Sequence, residues 1–427
     1  MTIISIAVIA SVYMATLFLL CHYYSSILWP LLAGGVLRLV LAVALALGWV
    51  SFPGTRADAV TFERRAREWS DLPWREFLDM FNPGASYVIS WVGALLYKLL
   101  AHSPVILNLF NALISLLLIV VTYRLAVSLF GRSRGIAAAW VVALFPFAIL
   151  YGSIFRREVF GSFLFMLGVL ASVRWVRKKS GVYFALALLM FGAAGVFHGG
   201  YIFGAVGLVL FTALVPLMRE FRRRAFSIKT LWATGVALAV VLFALAVVAA
   251  QDARLNKLGN LNAFDPRQAI TGRVERRMST GDTSYPDLLR GRDPFRYPYV
   301  IPGRIAYFLI SPFPWDIQRP EHAIGLVASI MYLLILVSIF RSRKLIFRSQ
   351  AALLVAFIVA VPVIVFGISI DNVGTSIRHR TKFLYPLVAL CAVPLLGRRR
   401  WRIKHAVSAQ CSQRTQVSKC PKINSDL

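Results

Sequence analysis

Residues 131–179 read GRSRGIAAAWVVALFPFAILYGSIFRREVFGSFLFMLGVLASVRWVRKK. Two apolar stretches, 136–153 and 159–176, approach the ~20 residues that cross a bilayer. Arg156-Arg157-Glu158 lies between them. Basic clusters flank the pair, Arg132/Arg134 before it and Arg177-Lys178-Lys179 after it. Lys and Arg are retained on the cytoplasmic side of a membrane. The stretch therefore predicts two spans with both feet in the cytoplasm and a charged turn outside.

The same rhythm continues along the chain. Arg222-Arg223-Arg224 with Lys229, Arg341/Arg343/Lys344 and Arg398-Arg399-Arg400 each fall two crossings from the next basic break. The breaks between them then face outward: His198-Gly199-Gly200, the long polar stretch 251–320, and Asp371 to Lys382. The first long loop, 51–83, belongs with them.

Composition supports a polytopic membrane protein. Hydrophobic residues make up 59% and charged residues only 15%, with a mean hydropathy of +0.71; that is too little charge to cover a soluble surface. The candidate spans are 3–24, 31–50, 104–129, 136–153, 159–176, 182–197, 201–218, 230–250, 322–340, 351–369 and 382–397. That is about eleven helices, with the N-terminus outside and the C-terminus inside. The first segment lacks a basic leader and a small-residue cleavage site, so it reads as a retained helix. Residues 84–101, which contain Lys98, read as a helix lying against or dipping into the outer face. Residues 1–405 form the transmembrane unit, and the aperiodic polar stretch 406–427 reads as a disordered cytoplasmic tail.

The formal charge of +29 is explained by topology signals and anionic headgroups, and no nucleic-acid partner is implied. The four cysteines have no zinc spacing. No Walker A motif, GxSxG elbow or metal-ligand cluster occurs, which argues against an ATP-driven pump. No cofactor is expected, and nothing indicates a divalent metal. No internal repeat points to a secondary transporter.

Loop 51–83 carries Thr55-x-x-Asp58, a capping signature. Phe62, Ala66 and Trp69 follow at helical spacing opposite Glu63, Arg64, Arg67 and Glu68, as in an amphipathic helix on a membrane surface. A second short helix is expected from Pro73 to Met80, ending at the Asn82-Pro83-Gly84 turn. Asp58 would sit at headgroup level on the outer face, either as a helix cap or as a general base. Arg156 and Arg157 oppose the topology signal, and Arg is the natural partner of phosphate; snorkelling is the alternative. Glu158 either orients an Arg or serves as a second acid. The turn Asp371–Lys382 brings Arg378, His379, Arg380 and Lys382, a set suited to phosphate or pyrophosphate, or to a solvated basic turn. His198 reads first as a structural hydrogen bonder. Arg38, near the cytoplasmic end of its segment, is expected to snorkel. Residues 251–320 read as a lid-like outer loop.

Several of these stretches together resemble the integral-membrane glycosyltransferases of the GT-C superfamily, which include protein O-mannosyltransferases and bacterial lipid-A aminoarabinose transferases. Asp58-Ala-Val-Thr-Phe-Glu63 is similar to that family's first outer loop with its catalytic acid. Asn82-Pro83-Gly84 leads into the next helix in the same way. Leu144-Phe-Pro-Phe-Ala-Ile-Leu-Tyr-Gly-Ser153, followed by Arg156-Arg157-Glu158, is similar to the second outer loop. Arg378-His379-Arg380 ahead of Phe383-Leu-Tyr-Pro386 is similar to a late Arg–Pro element. The chain departs from the pattern in an added first helix and in having Ala59 after Asp58 in place of a second acid.

The resemblance implies an all-α enzyme of a bacterial inner membrane. It would move a sugar or oligosaccharide unit from a polyprenyl-phosphate or pyrophosphate carrier to a glycan, lipid or protein acceptor on the outer face, with inversion. Asp58 and Glu158 are the catalytic candidates. Arg156, Arg157, Arg378, Arg380 and Lys382 are the phosphate-binding candidates, with Glu63, His198 and His379 as further candidates. A polysaccharide polymerase using the same carrier, or a non-enzymatic translocase of lipid-linked glycans, are the alternatives.

Overall fold

The computed structural model describes residues 2–52, 56–82, 87–223, 284–289, 296–317 and 322–391, with short pieces at 227–228, 231–232 and 234–235. Most of the expected span 230–250, most of the expected lid 251–320, the Pro83-Gly84 turn, Thr55 and the tail 406–427 lie outside the described residues.

The described residues are helical, with a single isolated β-bridge between Ser284 and Asn372. Sixteen α-helices are numbered here. They are α1 (Thr2–Tyr23), α2 (Leu28–Ala46), α3 (Arg56–Ser70), α4 (Trp74–Asp79), α5 (Val88–Leu99), α6 (Pro104–Phe130), α7 (Arg132–Leu144) and α8 (Pro146–Gly152). They continue with α9 (Arg157–Lys178), α10 (Gly181–Phe197), α11 (Phe203–Arg223), α12 (Val300–Ile310), α13 (His322–Arg348), α14 (Gln350–Ser369), α15 (Val373–Thr381) and α16 (Leu384–Ala389).

Among the described residues, seven helices are long and apolar enough to cross a membrane, and eight spans result if the bent pair α7–α8 counts as one. The expected span 182–197 is the 17-residue helix α10. At 1.5 Å per residue it falls short of a ~30 Å hydrocarbon core when untilted. The expected span 382–397 begins instead with α16, a six-residue helix.

Helix α6 is apolar all round, and such helices lie inside a bundle. In its most apolar stretch 78% of residues are buried, against 17% in α1. The centre is therefore α6, flanked by α2, α7, α9 and α16, while α1 presents Ile3, Ile4, Val8, Val12 and Phe18 outward, as a helix in lipid would. Gly131 ends α6 at φ 91°, a left-handed position that a side chain would strain. It lets α7 fold straight back along α6. At Gly207 of α11 an added Cβ would lie 2.7 Å from the Phe357 carbonyl oxygen and from Ile358 Cα, so only glycine allows α11 and α14 to pack backbone to backbone.

The expected span 136–153 is broken. Pro146 at the start of α8 has no N–H to give and holds Phe145 extended, and the two helices bend by 62°. The break leaves carbonyls at the end of α7 without partners. Arg38 supplies them. It is fully buried, donating to the Ala143 and Val142 carbonyls, to Gly34 O and to Ser115 Oγ. This corrects the expectation that Arg38 snorkels. A guanidinium at a helix C-terminus satisfies both hydrogen bonds and dipole, so its long side chain turns inward.

The amphipathic helix forms as the periodicity predicts. Phe62 and Ala66 of α3 are buried in a small second core with Phe77, Ile89, Ala94, Tyr97, Leu107, Phe155 and Phe160, while Arg64 and Glu68 stay exposed. That core fixes α3 and α4 against α5, which contains Lys98, and against the break before α9.

Candidate active site

Three segments far apart in sequence meet at one end of the helices. Asp58 lies in the first turn of α3. Arg156 caps α9 in an extended conformation, with Glu158 in the first turn. Arg378 lies near the end of α15. Arg378 pairs with Asp58 through Nη1 and with Glu158 through Nη2 and Nε. Arg156 Nη2 is 3.5 Å from Asp58 Oδ2, and its Nε is 3.5 Å from Glu158 Oε2. Two acids and two guanidinium groups thus alternate in a closed network.

Exposure separates the two carboxylates. Asp58 is 40% exposed, whereas Glu158 is 5% exposed beneath the arginines. Asp58 is open to an incoming molecule; Glu158 is a buried counter-charge that aims Arg156 and Arg378. Burial alone would lower the Arg378 proton affinity. Glu158 and Asp58 more than offset that, and its pKa is raised above the ordinary arginine value.

The turn carrying Arg156 is held by two residues the sequence reading did not single out. Asn108 and Asn111 are three apart on α6, on one face. Asn108 Oδ1 accepts from the Phe155 N–H at 3.0 Å, and Asn111 Oδ1 from the Arg156 N–H at 3.4 Å. Asn111 Nδ2 donates to the Tyr151 and Gly152 carbonyls. Two amides at i, i+3 in an otherwise apolar helix were the available signal. Tyr151 lies beneath the Arg156 guanidinium, 4.9 Å from ring centroid to Cζ. Arg157 sits over Phe62 of α3, 5.7 Å from its ring centroid.

Helical spacing sorts the late cations. Arg378 and Lys382 are four apart and share a face, while Arg380 points away from it. Arg380 does not join the network. It is buried, donating to Leu309 O at the end of α12 and to Ser329 Oγ, with its guanidinium 4.6 Å from the Tyr332 ring centroid. Lys382 is 1% exposed, and its Nζ is 3.0 Å from His379 Nδ1. The His379 ring lies 5.2 Å from the His198 ring. His198 Nδ1 accepts the Gly200 N–H at 3.1 Å, the structural role expected of it. Glu63 stays apart: it pairs with Arg67 at 3.1 Å and accepts from Tyr97 Oη at 3.2 Å.

The described part of the 251–320 stretch reaches the same end. Tyr285 N donates to Asp371 O at 2.8 Å, and its hydroxyl bonds Ser376 Oγ on α15. Among the described residues no group of three His, Cys, Asp or Glu side chains gathers to hold a metal ion.

A family model described as dolichyl-phosphate-mannose-protein mannosyltransferase matches residues 84–248. The chain resembles the GT-C glycosyltransferases. The match covers less than half of the chain, and it includes Arg156, Arg157 and Glu158 but neither Asp58 nor Arg378. No curated protein matches the chain.

Among solved structures, the chain is similar to ArnT from Cupriavidus metallidurans bound to undecaprenyl phosphate, at 16% identity and a TM-score of 0.49 over 90% of this chain and 64% of that one. It is similar to the apo oligosaccharyltransferase of Archaeoglobus fulgidus, at 14% identity and a TM-score of 0.44 over 92% of this chain and 52% of the other. Archaeal AglB from the same organism, in complex with an inhibitory peptide and a dolichol-phosphate, aligns at 15% identity and a TM-score of 0.41, over 95% of this chain and 53% of the other. The chain thus spans about half to two thirds of these GT-C proteins' lengths.

Proposed function

We propose that the protein transfers a sugar or oligosaccharide unit from a polyprenyl-phosphate or pyrophosphate carrier to an acceptor on the outer face of a bacterial inner membrane. The observation that carries this reading is the convergence of Arg156 and Arg378, from two distant segments, on the half-exposed carboxylate of Asp58, with buried Glu158 beneath them. A phosphate is the anion whose geometry an arginine fork matches.

In this reading the carrier phosphate takes up donors of Arg378 and Arg156 and draws them away from Asp58. The carboxylate so released accepts the proton of the acceptor hydroxyl, which attacks the anomeric carbon from the face opposite the phosphate. The bond from that carbon to the phosphate oxygen breaks, and the guanidinium groups meet the charge gathering on the leaving group. Glu158, out of reach of the acceptor, keeps the arginines in place. The amphipathic helix α3 sets Asp58 at the depth where a lipid-linked head emerges from the bilayer.

The test is release of free polyprenyl phosphate or pyrophosphate from sugar-loaded carrier by the purified chain in liposomes, with and without candidate acceptors. Carrier release that depends on acceptor supports transfer. Movement of intact sugar-loaded carrier between leaflets without release would favour a translocase.

A further inference from the structure

We propose that the exposed face of the Trp315 indole is a binding platform for a glycan acceptor. A pyranose ring stacks on it while another unit of the same saccharide presents its hydroxyl to Asp58. The proposal rests on the transfer reading above and narrows its acceptor to a glycan.

Trp315 lies just after α12, in the short turn Pro314–Asp316. It is 70% exposed, yet it is held in place. Its ring stacks on Phe313, with centroids 4.8 Å apart and planes 6° from parallel. Its Nε1–H donates to Tyr307 Oη at 3.1 Å. Asp316 Oδ2 accepts the Phe313 N–H at 2.8 Å and closes the turn. Behind Trp315 a file of rings runs inward, through half-buried Phe313 and Tyr307 to buried Tyr285. Phe313 lies 5.0 Å from Tyr307, and Tyr307 5.0 Å from Tyr285. The Tyr285 hydroxyl bonds Ser376 on α15, the helix that carries Arg378. Pro312 anchors the turn from the other side. A Cβ built at Gly325 of α13 would lie 3.0 Å from Pro312 Cγ and 3.4 Å from Ile377 Cδ1, so Pro312 and the residue before Arg378 close on the same point of α13.

A tryptophan that only marks the membrane interface keeps its N–H wet, among headgroups and water. Here the N–H is spent on Tyr307, so what Trp315 offers outward is a bare ring face. Asp316 adds a carboxylate beside it, which anionic lipid phosphates repel. A pyranose suits both groups. One of its faces is a set of C–H bonds, which meet the negative face of an aromatic ring. Its hydroxyls donate to a carboxylate. The indole is pinned before the sugar arrives, so little freedom is lost on binding. Among the described residues, Trp315 has no hydrogen bond or ring contact with Asp58, Glu158 or the arginines of the cluster. The ring held on Trp315 and the attacking hydroxyl therefore belong to different units of the acceptor.

Saturation-transfer NMR on the full chain in nanodiscs tests this, with maltotetraose, mannotetraose, cellotetraose and chitotetraose as probes. Stacking on a ring face does not depend on the identity of one sugar. At least one probe should therefore take up saturation at its ring C–H protons in the wild type. Trp315→Ala should weaken its binding by ~10-fold, and Trp315→Phe, which keeps a ring, by less. The position of the indole is read separately, from the fluorescence that the wild type has and Trp315→Phe lacks. Acrylamide in the water should quench it, and brominated lipid should not. No saturation of any probe by the wild type overturns the proposal, and that arm needs no variant to fold. Equal binding in folded Trp315→Ala also overturns it, as does quenching by brominated lipid, which would make Trp315 a bilayer anchor. None of these arms uses the carrier, so their failure leaves the transfer reading standing. Absence of acceptor-dependent carrier release would remove that reading, and the acceptor role with it, while the sugar still binds.

Discussion

Arg378 and Glu158, 220 residues apart in the chain, meet in a part-buried ion pair that joins α15 to the first turn of α9. The same guanidinium reaches Asp58 on α3, so one side chain ties three separate segments into one site.

Replacing Arg378 tests that role. Arg378→Ala removes a donor present in both the bound and the reacting state, so it weakens carrier binding and also lowers turnover, the latter by ~10²-fold or more. Arg378→Lys keeps the charge but cannot reach both acids with a planar fork, and it restores little of the loss. Transfer and carrier binding measured side by side would show this; near-normal values in Arg378→Ala would remove the residue from the site.

Asp58→Asn separates base from cap. Asparagine keeps the size and shape of aspartate in the first turn of α3, so folding and carrier binding persist. Transfer falls by ~10²–10⁴-fold if the carboxylate takes the acceptor proton. A variant with ordinary transfer rates would leave Asp58 as a structural residue only.

Glu158→Gln acts mainly on stability. It leaves Arg156, 3% exposed, and Arg378 facing a neutral amide. Loss of one member of a buried pair costs roughly 3–5 kcal/mol, read as a lower thermal midpoint. Restoration of that midpoint by bound carrier phosphate is expected, because the anion replaces the missing charge.

Arg380→Met contrasts with all three. Its donors go to Leu309 O and Ser329 Oγ, so stability drops while the carrier affinity of the folded protein is retained. A selective loss of carrier affinity with unchanged thermal stability would place Arg380 in the phosphate site after all.

Stability should fall on the acid side through His198. Burial lowers its pKa well below 6.5, so the unfolded chain binds the proton more readily than the folded one. The native-state advantage is complete above about pH 6.5 and is lost as pH falls towards the folded value, by up to ~1.4 kcal/mol per unit. His198→Asn keeps an acceptor for the Gly200 N–H and does not titrate. Thermal midpoints of the two proteins between about pH 5 and 7.5 should converge at the upper end and separate in acid, with the variant the less sensitive; parallel curves would count against this.

The sequence by itself determined what depends on local patterning. Apolar runs bounded by basic breaks predicted the helical membrane class, and the 62, 66, 69 spacing predicted the amphipathic helix, because burial in lipid or against a core follows from side-chain periodicity alone. It also singled out Arg156 and Arg378, since arginines in breaks expected to face outward oppose their topology signal. Tertiary structure decided the rest. Arg38 sits inside an apolar run and reads as a snorkelling residue; only the break at Pro146 on another helix supplies the carbonyls that draw it inward. Arg378, Arg380 and Lys382 look alike in sequence, yet α15 turns the first to Asp58 and Glu158, the second to α12, and the third to a histidine. A charged side chain goes where its partners are, and partners 220 residues away exist as neighbours only once the helices have packed.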